Sequence, residues 1–474
     1  MKINNILLLT VESDEINTSG TPLEIDSARG NYPPLGLIYI ASELLKNGYN
    51  VKILDLASFG RSKNKLTSFI RNFNPEIIGF QLYSTSIRNA IKLAELIKTE
   101  FPSITVIAGG PHLDAYPSET ISLPCFDIGI LGEGSKRLVN VLKIIESEKT
   151  LSKSDGVVYK LNGKVIVNKS IHKSTCFNKM PFPARQTLVD KNYSSIFENK
   201  FTSIVASRGC HYSCTFCSEI GTFRLRTPEN VIKEIEHYVK VDKINNFYFL
   251  DSTFPVNNLK WIKRFCNEII KNKLKIMWSV RTRPDHINEK SISLMKKAGC
   301  NRLQLGIESA NHKSLEFLNK RMDLRSAEKG INIAKKHGLT VLSYFIIGFP
   351  DEKRNDVLNT IRYARKIKTD YAHFSLLTPI PNTKLYDYVK KNKLMQEDYW
   401  LDYMTYKTDE LAPVCSKYLG KKELTKLLGH AYKNFYINPN FIFRRGIDIL
   451  REEKPFIVLI KYFSGLRSLL RIRD

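Results

Sequence analysis

In the first 150 residues, short unbroken apolar runs rich in Ile, Leu and Val alternate with longer stretches whose apolar positions recur every three or four residues. The runs at 5–11, 51–56, 76–83, 104–110 and 127–134 predict strands buried on both faces. The stretches at 35–49, 65–73, 86–101 and 135–148 predict amphipathic helices. This alternation specifies an α/β module, an open, doubly wound parallel sheet covered on both sides over residues 1–150. Between 151 and 200 the pattern changes. "GVVYKLNGKVIVN" alternates about Asn162-Gly163, a two-residue hairpin signal, and an irregular connector with Pro181 and Pro183 follows. From 201 to 381 the strand–helix order resumes, with strands at 202–206, 245–251, 275–281, 302–308, 339–350 and 371–381. Helices are expected at 229–240, 257–272, 289–300, 324–337 and 353–367. Six such units predict a partial (β/α)6 barrel with its site at the strand C-termini. Residues 382–474 read as a helical extension, with helices at 386–403 and 422–446.

Charge divides along the same lines. Residues 1–150 carry a net charge of −1 and the remaining 324 carry +27. Basic surface attracts nucleic acid, anionic lipid or acidic substrate, or merely solvates lysine-rich faces. There is no Arg-rich run and no RNP-like motif, so a nucleic-acid partner is not expected. Residues 416–474 alone are net +8, and "PFIVLIKYFSGLRSLLRIR" mixes apolar and basic positions as a membrane-surface helix does. A last helix packed on the barrel would read the same way. No 18-residue apolar run is present, and the amino terminus reads as a buried strand without a cleavage site. The expected compartment is the cytoplasm, where cysteines stay reduced.

In the first module the strand ends carry Tyr83-Ser84, Gly109-Gly110-Pro111-His112 and Gly132-Glu133. Ligands of open parallel sheets bind at such ends, and glycines there permit close backbone approach or simply turn the chain. No GxGxxG follows the first strand and no GxxxxGK[ST] occurs, which argues against dinucleotides and nucleoside triphosphates. In the second module "SRGCHYSCTFCSE" puts Cys210, Cys214 and Cys217, three of the eight cysteines, within eight residues of a loop that follows a strand. Structural zinc needs four ligands, and no second CxxC or HxxxH lies nearby. Three thiolates on a four-iron cluster leave one iron open for chemistry. Cys176, Cys266 and Cys300 read as ordinary thiols. Polar residues recur at later strand ends: Asp251, Arg281, Arg283, Gln304 and Glu308.

CxxxCxxC with an aromatic, Phe216, before the third cysteine resembles the signature of radical S-adenosylmethionine (SAM) enzymes. "YPPLGLIYIASELLKNGYNVKILDL", "VIAGGPHLDAYPSE" and "DIGILGEGSKRL" resemble the Rossmann-like cobalamin-binding domain that precedes many of them, in magnesium-protoporphyrin cyclase-like and class B methyltransferase-like branches. The resemblance implies a 4Fe-4S cluster on Cys210, Cys214 and Cys217, with SAM chelated at the open iron and cleaved to a 5′-deoxyadenosyl radical. It implies cofactor-binding roles for Phe216, for Asp251 at the methionine amino group through side chain or backbone, for Arg283 at the SAM carboxylate and for Glu308 at the ribose or amino group. It further implies cobalamin across Tyr83, Ser84, Gly109, Gly110, Pro111, Gly132 and Glu133. The histidine of the DxHxxG motif is missing, which leaves His112 as a substitute cobalt ligand or as a capping residue. "TPIPNTKLY" resembles a PxPGTxLY pattern with Asn382 in place of glycine, a residue that tolerates left-handed angles. Residues 386–403 resemble the family's helix over the barrel mouth. The implied reaction is methylation of an unactivated carbon in a small-molecule or lipid-like substrate, fed by a reductant such as flavodoxin or ferredoxin. Cyclisation, oxygenation or rearrangement with the same cofactors is the alternative, and a cobalamin or redox sensor the non-enzymatic one.

Overall fold

The computed structural model describes residues 2–14, 32–59, 63–171, 177–191, 193, 201–219, 222–395, 398–408, 413–439, 441–443 and 446. Cys176 and the basic segment 455–473 lie outside these. The described chain forms two compact units.

The first unit contains the described residues up to 193 together with 398–408. Its strands are β1 (Asn5–Thr10), β2 (Asn50–Asp55), β3 (Ile77–Gln81), β4 (Thr105–Gly109), β5 (Ile128–Ile130), β6 (Val157–Leu161) and β7 (Lys164–Val167), in the order β2-β1-β3-β4-β5-β6-β7. The first five are mutually parallel. The order reverses between β1 and β3, and at such a switch point the flanking connections leave on opposite faces and open a crevice. Leu7, Leu9, Ile53, Ile78 and Val106 are buried, as strands covered on both faces require. The hairpin predicted in the connector is β6–β7. Asn162 (φ 49°) and Gly163 (φ 75°) both take the positive angles of a two-residue turn. The hairpin extends this first sheet, because β6 pairs antiparallel with β5.

The second unit has β8 (Thr202–Ile204), a short antiparallel pair of β9 (Ser207–Arg208) with β10 (Arg224–Leu225), then β11 (Asn246–Phe249), β12 (Met277–Thr282), β13 (Cys300–Glu308), β14 (Thr340–Ile347) and β15 (Tyr371–Leu376). The main sheet runs β8-β11-β12-β13-β14-β15, all parallel and in sequence order, with β8 and β15 at its edges. This is the open, partial barrel expected from six strand–helix units. Alternate strand residues (Phe247, Phe249, Val280, Leu303, Leu305, Val341, Phe345 and Phe374) join the buried cluster shared with the helices. The β15 edge is closed by helix Lys421–Tyr436. Tyr436 Oη accepts from Ala372 N at 3.1 Å and donates to Ala372 O at 2.7 Å. One turn earlier, Tyr432 Oη does the same for Phe374 at 3.1 and 2.8 Å. Two phenols thus satisfy edge groups that would otherwise recruit another strand.

The extension expected as one helix over 386–403 is two, Lys384–Lys391 and Tyr399–Met404. The second belongs to the first unit and not to the barrel. There Arg88 Nε donates to Tyr403 O at 2.7 Å, its guanidinium lies 3.8 Å from the Tyr403 ring, and Tyr403 Oη donates to Asp14 at 3.1 Å. Among the described residues no helix is long and apolar enough to cross a membrane.

Candidate active site

The cysteine loop starts where β8 ends, and residues far along the chain pin it in place. Asp251, just after β11, is fully buried and accepts from Ala206 N at 3.0 Å and Ser207 Oγ at 2.5 Å. Burial pushes this carboxyl up to about 6. Gly209 (φ 74°) turns the chain into the loop, and β9–β10 clasps its two ends. Asn319 Nδ2 donates to Ser213 Oγ at 2.8 Å. Thr215 donates through its N and Oγ1 to Leu318 O and Phe317 O at 3.0 and 3.1 Å, and Leu385 N donates to Thr215 O at 2.8 Å. Phe216 packs against the apolar cluster of Leu318, Ile346, Phe349, Leu377 and Leu385.

Cys210, Cys214 and Cys217 are free and half-buried, and Cys210 Sγ lies 3.6 Å from Thr253 Oγ1. Burial raises the thiols of Cys214 and Cys217, so a metal must displace their protons to bind. Among the described residues no three His, Cys, Asp or Glu side chains gather closely enough to share one ion. A cubane places each thiolate on a different iron and so asks for a wider triangle on one loop. The three half-buried thiols on this pinned loop are the residues that would hold it.

Two ion pairs stand beside the loop. Glu308, at the end of β13, meets Lys320 Nζ at 2.6 Å with both side chains buried. Its backbone is left-handed (φ 73°), and the β13–β14 register shifts between Gly306 and Glu308. Gly306 is what makes room: a Cβ there would lie 2.5 Å from Glu308 Oε1 and 2.9 Å from Lys320 Nζ. Arg283 donates from Nε and Nη2 to the two Asp285 oxygens at 3.0 and 2.8 Å, and its guanidinium lies 4.1 Å from the ring centre of Tyr212. Tyr212 Oη in turn bonds His286 Nε2.

The strand-end reading thus sorts into three outcomes. Glu308 and Arg283 lie beside the cysteine loop. The Asp251 side chain is spent on the chain, so only its backbone neighbours could face a ligand. Arg281 is the last but one residue of β12, with its side chain on Tyr248, whereas Gln304 projects from the middle of β13. Asn382 (φ 59°) does take the left-handed angle expected of the missing glycine. Lys320 and the Tyr212–His286 pair were not anticipated, since nothing local marks Lys320 as the partner of Glu308. Asp285, two residues after Arg283 in "RTRPD", was the one legible hint.

In the first unit, Tyr83, Pro111, Gly132 and Glu133 stand exposed at the strand ends, with Gly109 and Gly110 half-exposed and Ser84 buried. Gly110 (φ 108°) is required by the chain itself: a Cβ would lie 2.7 Å from Leu82 O. His112 is fully buried, with Nδ1 bonded to Ser84 Oγ at 2.9 Å and Nε2 to Met404 Sδ at 3.2 Å; burial pushes it down to about 3. The substitute-ligand reading therefore fails here, because both ring nitrogens are committed. What remains, glycine-containing strand ends with Tyr83, Pro111, Gly132 and Glu133 exposed, would suit a corrin.

Comparison with known proteins agrees with this division. The B12 binding domain family matches residues 24–142, and the Radical SAM superfamily matches 204–364. An uncharacterised methyltransferase of Pyrococcus horikoshii is 32% identical over 446 residues, 93% of this chain and 94% of the relative. The anaerobic magnesium-protoporphyrin IX monomethyl ester cyclase of Rubrivivax gelatinosus is 28% identical over 75% of this chain and 66% of its own length. The fold matches the cobalamin-dependent SAM radical enzyme OxsB, solved with aqua-cobalamin and SAM, at TM-score 0.71 and 15% identity over 100% of this chain and 76% of that one. It also matches the radical SAM methyltransferase TsrM of Kitasatospora setae, solved with cobalamin and a 4Fe-4S cluster, at TM-score 0.66 and 17% identity over 82% and 78%. The architecture is that of a B12-binding domain followed by a radical SAM domain. The chain belongs to the cobalamin-binding radical SAM family, whose cofactors are a 4Fe-4S cluster, SAM and cobalamin.

Proposed function

We propose that this enzyme transfers a methyl group to an unactivated carbon of a small-molecule substrate. The observation that carries the proposal is the pairing of both cofactor modules in one chain, aligned over 93% of its length with a methyltransferase. When bound, the cluster and SAM supply a hydrogen-abstracting radical, and cobalamin supplies a methyl carrier. The chain's own part is to hold and orient. Cys210, Cys214 and Cys217 ligate the cluster, and Phe216 and the 317–319 and 385 contacts keep their loop rigid. Glu308, with its charge balanced by Lys320, faces the ribose or amino group of SAM. Arg283, clasped by Asp285 and stacked on Tyr212, offers its remaining guanidinium edge to the carboxylate. Asp251 fixes the loop's entry and acts on SAM through the backbone beside it. Tyr83, Ser84, Gly109, Gly110, Pro111, Gly132 and Glu133 form the corrin's seat. We place the enzyme in the cytoplasm, fed by a low-potential reductant such as flavodoxin or ferredoxin. The basic tail from 416 is the segment that would touch anionic lipid.

Turnover of cell extract with SAM deuterated in its methyl group tests the reading. A methylase puts the label into product and forms S-adenosylhomocysteine and 5′-deoxyadenosine in comparable amounts. Similarity to the porphyrin cyclases supports the second reading, in which product forms without transferred label; that result would reject methylation.

A further inference from the structure

On β11 to β15 the residues that alternate with the apolar core form a polar cluster on the sheet face turned away from the helices. Gln304 Oε1 accepts two phenolic hydrogens, from Tyr248 Oη at 2.8 Å and Tyr344 Oη at 2.6 Å. With those protons donated, the phenol oxygens act as acceptors toward the neighbouring cation. Arg281 Nη2 donates to Tyr248 Oη at 2.9 Å, and its guanidinium lies 5.9 Å from the Tyr344 ring centre. His373 stands beside Tyr344, with ring centres 5.6 Å apart. Arg281 Nε is buried and bonded to nothing, and no carboxylate pairs with this guanidinium among the described residues. The contrast with Arg283, whose fork is filled by Asp285, is sharp.

A guanidinium drawn into a protein without a counter-charge is costly, and it persists where a ligand supplies the anion. Tyr248 and Gln304 are buried, whereas Arg281, Tyr344 and His373 are each partly exposed, so the cation can be reached from the open face. We infer that Arg281 anchors an oxyanion of the substrate, a carboxylate or a phosphate ester, with Tyr344 and His373 framing it. This rests on the reading of the barrel as a small-molecule site and adds the substrate's class: an anion held by its charged end below the site of SAM.

The test uses the full reconstituted chain, anaerobically, at constant ionic strength and saturated with S-adenosylhomocysteine. Benzoate, phenyl phosphate and neutral benzamide are titrated, and the shift in melting temperature is read. The wild type should respond saturably to benzoate or to phenyl phosphate, whichever matches the native oxyanion, and not to benzamide. Arg281→Met should weaken that response by at least roughly tenfold, as loss of charge-assisted hydrogen bonds implies. Arg281→Lys should weaken it less. Without probe, Arg281→Met should melt no lower than the wild type, because a guanidinium without a counter-charge is replaced by an apolar chain of similar length. An arginine that only braces the tyrosines would give the reverse pattern, a lower melting temperature and unchanged probe binding. That pattern would overturn the inference. So would a wild type indifferent to all three probes, or a parallel loss of S-adenosylhomocysteine affinity in Arg281→Met, which would assign Arg281 to the SAM carboxylate. None of these readouts needs turnover, so failure of the methyl-transfer reading is seen separately in the labelling experiment.

Discussion

Gly306→Ala tests whether the Glu308–Lys320 pair presents itself to SAM. The added Cβ would start 2.5 Å from Glu308 Oε1 and 2.9 Å from Lys320 Nζ. Carbon–oxygen contacts settle near ~3.5 Å, so the carboxylate has to retreat by about 1 Å. Both blocking atoms are the far ends of long side chains, so the backbone of β13 need not move. The ion pair, however, is 2.6 Å long and buried, and it cannot keep that geometry with a methyl group inside it. Removing one partner of a buried pair costs about 3–5 kcal/mol; here both partners remain and can re-pair, so about 1–3 kcal/mol is expected. A displacement of about 1 Å at a positioning group costs roughly a hundredfold in rate. The variant should therefore fold, keep its iron, melt a few degrees lower and form 5′-deoxyadenosine about a hundredfold more slowly. Iron content, melting temperature and anaerobic SAM cleavage are measured on one preparation. Wild-type cleavage in a variant shown to carry the methyl group would refute the assignment of Glu308. Loss of iron in step with activity would show that the pair supports the cysteine loop and does not face SAM.

Replacing Cys210, Cys214 or Cys217 singly by alanine should remove cluster iron and abolish SAM cleavage, whereas Cys266→Ala and Cys300→Ala, both in the helix-side core, should keep them; iron assay and 5′-deoxyadenosine formation decide. Glu352 is buried, accepts from Gly348 N and Phe349 N at 2.9 and 3.1 Å and from Ser314 Oγ at 3.0 Å, and burial pushes it up to about 7 from 4.5. Between those values the folded chain binds a proton that the unfolded chain does not. Its contribution is therefore full below about 4.5 and lost as pH rises through about 7, a swing of about 3 kcal/mol. Glu352→Gln should remove that slope from the difference between denaturation curves at pH 5 and pH 8, and an unchanged slope would reject the assignment.

Local pattern settled the elements because strand and helix periods are written in neighbouring residues. The paired modules, the Asn162-Gly163 turn and the left-handed Asn382 all depend on a few adjacent side chains and backbone angles. The cysteine loop was legible for the same reason: its three cysteines sit in eight consecutive residues. Tertiary structure decided everything that depends on which side chain reaches a partner tens to hundreds of positions away. His112 carries the residue type of a ligand, yet Ser84 and Met404 close on its two nitrogens from 28 and 292 residues away. Asp251 looked like a ligand at a strand end, but it lies inside the loop's base, where its oxygens are taken by Ala206 and Ser207. The helix expected over the barrel mouth divides, and its second half is held in the first unit by Arg88 and Asp14. Arg281 was visible as a charge on a strand, but whether it met a carboxylate or only phenols was fixed by the register of β11 to β14. A sequence states the charge; the fold states its counter-charge, because desolvation and pairing depend on neighbours that only packing brings together.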